Sequence, residues 1–262
     1  RDMTLVPGMT WSHTGEVDLF ASAVGSAVTT AGKTLGSLVV RSNNATNGFQ
    51  LQDALTVSGA VEFQSGVWDL NGQTCSFASF NSNNSNLRTL AMGSASITIT
   101  DTGGTAWDIT TSTNMTLTQS GSTITFSGSS DFEGGGLTYG NLTFNQSAGV
   151  YGGNTISGTL TLAGLGASQA CIIDGGHTLG ALDINGAAFG SPFLDLSGDI
   201  TVNGNIDISG DSSAGFILES NTTTQRTITC NGTVTANYTT FFYINANGTA
   251  SWDVSGGTGN VD

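Results

Sequence analysis

The chain has 262 residues, with five Lys or Arg against nineteen Asp or Glu, for a formal charge of −14. So negative a balance repels phosphate backbones and anionic lipid surfaces, which excludes nucleic acid as an expected partner, and no segment approaches the ~20 consecutive apolar residues of a membrane-spanning helix. Charged residues make up only 9% of the chain, so the surface is left to hydroxyls and amides, which suits dense protein packing, carbohydrate contact or a life outside cells.

Glycine occurs 38 times and proline only twice, at Pro7 and Pro192, while Ser, Thr and Asn separate short apolar alternations. That is the vocabulary of strands and tight turns. No stretch places apolar residues at helical spacing. The start, Arg1-Asp2-Met3-Thr4, is neither an initiator Met nor a signal peptide, and the chain is expected to be a trimmed or processed part of a longer one.

Residues 1–31 hold Trp11, His13 and a run of small residues over 21–27, and are expected to form an N-terminal cap or attachment segment. From residue 32 onward a motif recurs, Gly-x-Thr-apolar-Gly/Ser-x-apolar-x-apolar. It begins at Gly32, Gly72, Gly136 and Gly176 and supplies Leu38, Val40, Leu142, Phe144, Leu182 and Ile184 to a common apolar face. A second pattern, apolar-Ser-Gly-x-apolar-x-apolar, is centred on Gly59, Gly158 and Gly198 and adds Leu160, Leu162, Ile200 and Val202. The combined spacing counts in units of about twenty residues, one coil of a β-solenoid, where each coil buries its apolar face only by stacking on the next. The expected fold is therefore all-β: a parallel β-solenoid, read as a right-handed β-helix, over 32–262.

Between 81 and 135 the main motif is lost, but alternation persists at Ile97 and Ile99, Met115 and Leu117, and Ile124 and Phe126. The coil is expected to continue there with turns of altered length, an irregular sandwich being the alternative. Near the end, the aromatic cluster over 238–243 is expected to plug the last coil, or else to meet a neighbouring subunit.

The Gly-x-Thr-Leu-Gly-x-Leu turns, with the closing Tyr238-Thr239-Thr240-Phe241 and the Gly-rich run from Trp252 to Asn260, resemble the β-helical structural proteins encoded by tailed bacteriophages, including fibre, spike and head-decoration components. The resemblance covers most of 32–262. It implies a non-enzymatic part of a virion exterior, with other virion proteins, further copies in a homotrimer, or host surface glycan as partners. It carries no catalytic motif to transfer.

Six Asp residues, Asp69, Asp108, Asp183, Asp195, Asp207 and Asp253, each stand between two apolar residues and so point away from the core. A solvated face is the simplest reading. Two such carboxylates brought together would instead serve as glycosidase acid and nucleophile; in this alternative, a tailspike-like glycan depolymerase, the candidates are Asp195, Asp199 and Asp207. A bacterial surface adhesin passenger is the third possibility. No cofactor or metal site is expected: calcium-roll and EF-hand motifs are absent, and Cys75, Cys171 and Cys230 read as buried free thiols. His13 and His177 are far apart in sequence, and His177 occupies a repeat position shared with Lys33, Gln73 and Leu137, which reads as a turn surface rather than a ligand. Thr-x-Thr strands such as Thr159–Thr161 resemble ice-binding arrays, but their uneven spacing argues against that use.

Overall fold

The computed structural model describes residues 1–163, 165, 169–185, 193–210 and 215–253. The closing segment over 254–260 and Pro192 lie outside the described residues. Among those described there is no helix, and the strands run in parallel sheets that wind a β-solenoid of about ten coils, roughly 23 residues each. Two units, 1–125 and 126–262, are each built this way.

In the first unit a coil has three sides. Gly48–Leu51, Leu55–Val57 and Ala60–Phe63 follow one another around one such coil and join three different sheets. Every neighbouring strand on each side pairs in parallel, as in Leu38 beside Val61, Val61 beside Phe80 and Phe80 beside Trp107. The steps in that column are 23, 19 and 27 residues (61−38, 80−61, 107−80), so the coil does continue through the stretch where the motif fades, and its turns change length. Inward side chains fill the centre: Trp68 lies 5.9 Å from Phe63 and Phe77, and Phe80 stacks on Trp107 at 4.3 Å. Residues 1–31 contribute strands Met3–Thr4, Glu16–Ala21 and Ser26–Thr29, each paired in parallel with the chain that follows, so this segment is itself wound into the coil.

In the second unit a coil has a long side and a short one. The long side carries two consecutive strands, or one strand with a bulge, as in Thr155–Ala163 and Thr178–Asn185. The short side is built from Ala148–Tyr151, Ala170–Ile173, Phe193–Leu196, Phe216–Ser220 and Thr239–Phe242. Leu160, Leu182, Ile206 and Val234 form one inward column, each in register with the next. All ten residues expected to carry the stack, from Leu38 to Val202, are no more than 2% exposed. The three cysteines are free and buried; burial pushes the Cys75 thiol up to about 12 and that of Cys171 to about 11.

The motif glycines explain the corners. The N–H of Gly59 donates to Gly36 O in the first unit; in the second, Gly158 donates to Gly140 O, and Gly204, which belongs to neither pattern, donates to Gly180 O. The two sequence patterns thus supply the same corner in successive coils. A Cβ on Gly180 would sit 2.4 Å from Ser157 O, and one on Gly204 2.4 Å from Gly180 O, both shorter than any real contact, so the stacked backbones leave no room for a side chain. The pattern is not uniform in use. Gly198 fits the second pattern but packs on Gly175 at a different corner, where a Cβ would meet the Gly175 Cα at 2.2 Å. The occurrence at Gly72 is slid by two residues, since Leu35 pairs with Val57 whereas Cys75 pairs with Leu55. A slip of two keeps inward residues inward.

Candidate functional site

The corner before the long side of the second unit is held by side chains that accept backbone N–H groups from an adjacent coil. Asn154 Oδ1 accepts from Gly136 N–H at 2.9 Å, His177 Nδ1 from Asn154 N–H at 3.0 Å, and Asp199 Oδ1 from Thr227 N–H at 2.8 Å. Asp53 does the same in the first unit for Thr30 and Ala31.

His177 corrects a sequence expectation, for it is buried at 1% exposure rather than lying on a turn surface. A backbone N–H can only donate, so Nδ1 accepts and the proton sits on Nε2, which donates to Asp174 Oδ1 at 2.5 Å. Asp174 Oδ2 in turn accepts from Gly152 N–H at 3.0 Å. Both ring nitrogens are therefore occupied, and neither is open to a metal or a substrate. Sequence comparison of repeats averaged His177 with Lys33, Gln73 and Leu137, and that average hid a site-specific bond.

A second internal clamp, also unforeseen, is Arg88, 2% exposed. Its guanidinium donates to Ser82 Oγ and to the carbonyls of Ser82, Asn86, Thr111 and Thr113 at 2.6–3.0 Å. Burial lowers its pKa, yet five donors aimed at five acceptors keep the charge satisfied.

The three carboxylates singled out in the sequence do not converge on one face. Asp195 points outward from the short side, Asp207 points outward from the long side, and Asp199 caps the corner between them. Asp207 instead faces Asp183 in direct register, with Thr161 and Thr235 on either side. Asp69 accepts from Gln50 Nε2 and Asn71 N–H, and Asp108 from Thr110 and Asn83, so both serve turns.

What the structure does assemble is an outward row on the short side: Asp195 beside Glu219, and Glu219 beside Phe242. Adjacent strands lie ~4.8 Å apart. These residues, with Ser220, Asn221, Thr222, Thr223 and Tyr243, line an open cleft of about 520 Å³. Asp195 Oδ1 is shielded from solvent and has no hydrogen-bond partner. Its carboxyl titrates above the ordinary aspartate value, first through burial and then through the charge of Glu219.

The aromatic cluster divides at this cleft. Phe241 is buried and meets Trp252 edge to face at 5.9 Å, as a plug would. Tyr238, Phe242 and Tyr243 are 44%, 45% and 53% exposed, so the expectation that the cluster as a whole fills the coil is corrected. The cause is backbone direction. Phe242 faces outward by the ordinary alternation of its strand, opposite to Phe241, while Tyr238 and Tyr243 adopt positive φ (53° and 54°) just beyond the strand's two ends, which breaks the alternation there.

Comparison with protein families, curated proteins and solved structures gave no match.

Proposed function

We propose that the chain is a non-enzymatic structural or adhesive component of the exterior of a phage particle, of fibre, spike or capsid-decoration type. The observation that carries this reading is the row of hydroxyls on the long side of the second unit: Thr138, Thr155, Thr178, Thr201 and Thr229 stand in register in successive coils. A parallel ladder with a dry centre resists bending, because shifting any one coil breaks backbone bonds to both neighbours. Rows of uncharged hydroxyls on such a ladder offer donors and acceptors at fixed spacing without desolvating charge. That suits lateral contact with other virion proteins or further copies of the chain, and contact with host glycan.

Immunogold labelling of particles and cells from a culture of the source organism tests the reading. Label on virions supports it; label confined to cell envelopes moves the chain to the surface adhesins. Release of reducing ends from a surface glycan, lost in Asp195→Asn, would make it a depolymerase instead.

A further inference from the structure

The cleft on the short side of the second unit holds more negative charge than its own chain offsets. Asp195 and Glu219 stand on neighbouring strands in direct register, and one oxygen of Asp195 is shielded from water without a donor. Among the described residues the ion pair is Arg41 with Asp18, and neither it nor the hydrogen bond from neutral His177 to Asp174 reaches this cleft. With five basic residues against nineteen acidic ones, the chain has few cations to spare. Beside the carboxylates, Phe242 and Tyr243 expose about half of their surface to solvent, and Thr222 and Thr223 supply hydroxyls along the rim.

We infer that this cleft docks an arginine side chain presented by a basic segment of a protein partner. Charge complementarity selects a cation. The form of the cleft selects a guanidinium among cations: it is flat, weakly hydrated, able to bridge two carboxylates one strand apart, and attracted to an aromatic face. A divalent metal ion would need six or more oxygen ligands, or for zinc a tighter N/S set, and among the described residues no three acidic, His or Cys side chains are placed to hold a metal ion. A neutral sugar would stack on Phe242 and Tyr243 but would leave the opposed charges of Asp195 and Glu219 as they are. The inference rests on the chain acting as a structural element joined to partners, but not on which particle carries it.

The test uses the 262-residue chain and fluorescein-labelled peptides of the form Gly-Ser-Arg-Gly-Ser-Arg, with Lys, citrulline and Glu in place of Arg, titrated by fluorescence anisotropy at 50 and 300 mM NaCl. The expected result is saturable binding of the Arg peptide, at least threefold tighter than the Lys peptide, with none for citrulline or Glu. Affinity should fall tenfold or more in the double variant Asp195→Asn, Glu219→Gln, and severalfold in Phe242→Ala, whose exposed ring can leave without disturbing the fold. The double variant Asp183→Asn, Asp207→Asn removes an equal charge from the long side and should leave affinity unchanged. Equal weakening by the two charge-neutral variants would show unspecific attraction to an acidic protein and overturn the inference. So would binding of a neutral oligosaccharide that competes with the peptide or is abolished by Phe242→Ala while the Arg peptide stays unbound. Either failure leaves the immunogold result, and so the structural reading, standing on its own.

Discussion

Leu182→Ala strikes the centre of the second unit's inward column. Leu182 is 1% exposed and lies in register between Leu160, fully buried, and Ile206, 2% exposed. Returning its lost methyl groups to the water reference removes about 2 kcal/mol of transfer energy. The hole left behind adds about 1–2 kcal/mol, because both neighbours are pinned by parallel ladder bonds and cannot close over the gap. The total is about 3–4 kcal/mol, roughly a hundredfold or more in local opening. Stability in a solenoid is carried by nearest-neighbour contacts, so the loss should appear as faster amide exchange in Thr155–Ala163, Thr178–Asn185 and Ile206–Ser209 together. Asp183→Ser, one residue along and outward-facing, is the control and should change exchange little. If Leu182→Ala opened these strands no faster than the control, the column would not be the source of cohesion. The harsher Leu182→Asp should abolish folding altogether.

Further expectations concern the polar groups. His177→Ala should destabilise the 152–178 corner by about 1–3 kcal/mol by stranding the Asn154 N–H and an oxygen of Asp174; unchanged amide exchange at Asn154 would contradict the assigned tautomer. Arg88→Lys should lower the urea midpoint nearly as far as Arg88→Met, since three ammonium donors cannot reach five acceptors spread over residues 82–113; full rescue by Lys would show that charge rather than geometry matters. Asp195 binds its proton more tightly folded than at its ordinary value of 3.8. Its protonated form therefore favours the fold below that value, and the benefit is lost as pH rises through the elevated folded value. Asp195→Asn should raise the midpoint relative to the parent at pH 7 and gain progressively less toward pH 4; a gain independent of pH would exclude this origin.

The sequence by itself determined the class of fold, the inward face and the corners. Two-residue alternation at Leu160 and Leu162, or Ile206 and Ile208, admits only a strand with those residues inside, and recurrent glycines mark places where backbones stack too closely for a Cβ. These are local constraints, and a local pattern can record them. Which rows meet was decided by tertiary structure, because the step from coil to coil varies from 17 to 28 residues (155−138, 234−206) and the register of each depends on loops that carry no periodic signal. Asp195 therefore meets Glu219, 24 residues on, rather than Asp199 or Asp207. His177 is drawn inward by one backbone N–H, and Arg88 is buried by carbonyls, which are present at every residue and so leave no mark in the pattern. Phe242 faces solvent because strand alternation itself turns it opposite to Phe241, whereas Tyr243 does so because its positive φ breaks that alternation. Side-chain periodicity records burial; the partner of a polar group depends on which coil lies beside it, and that is settled only when the chain has wound.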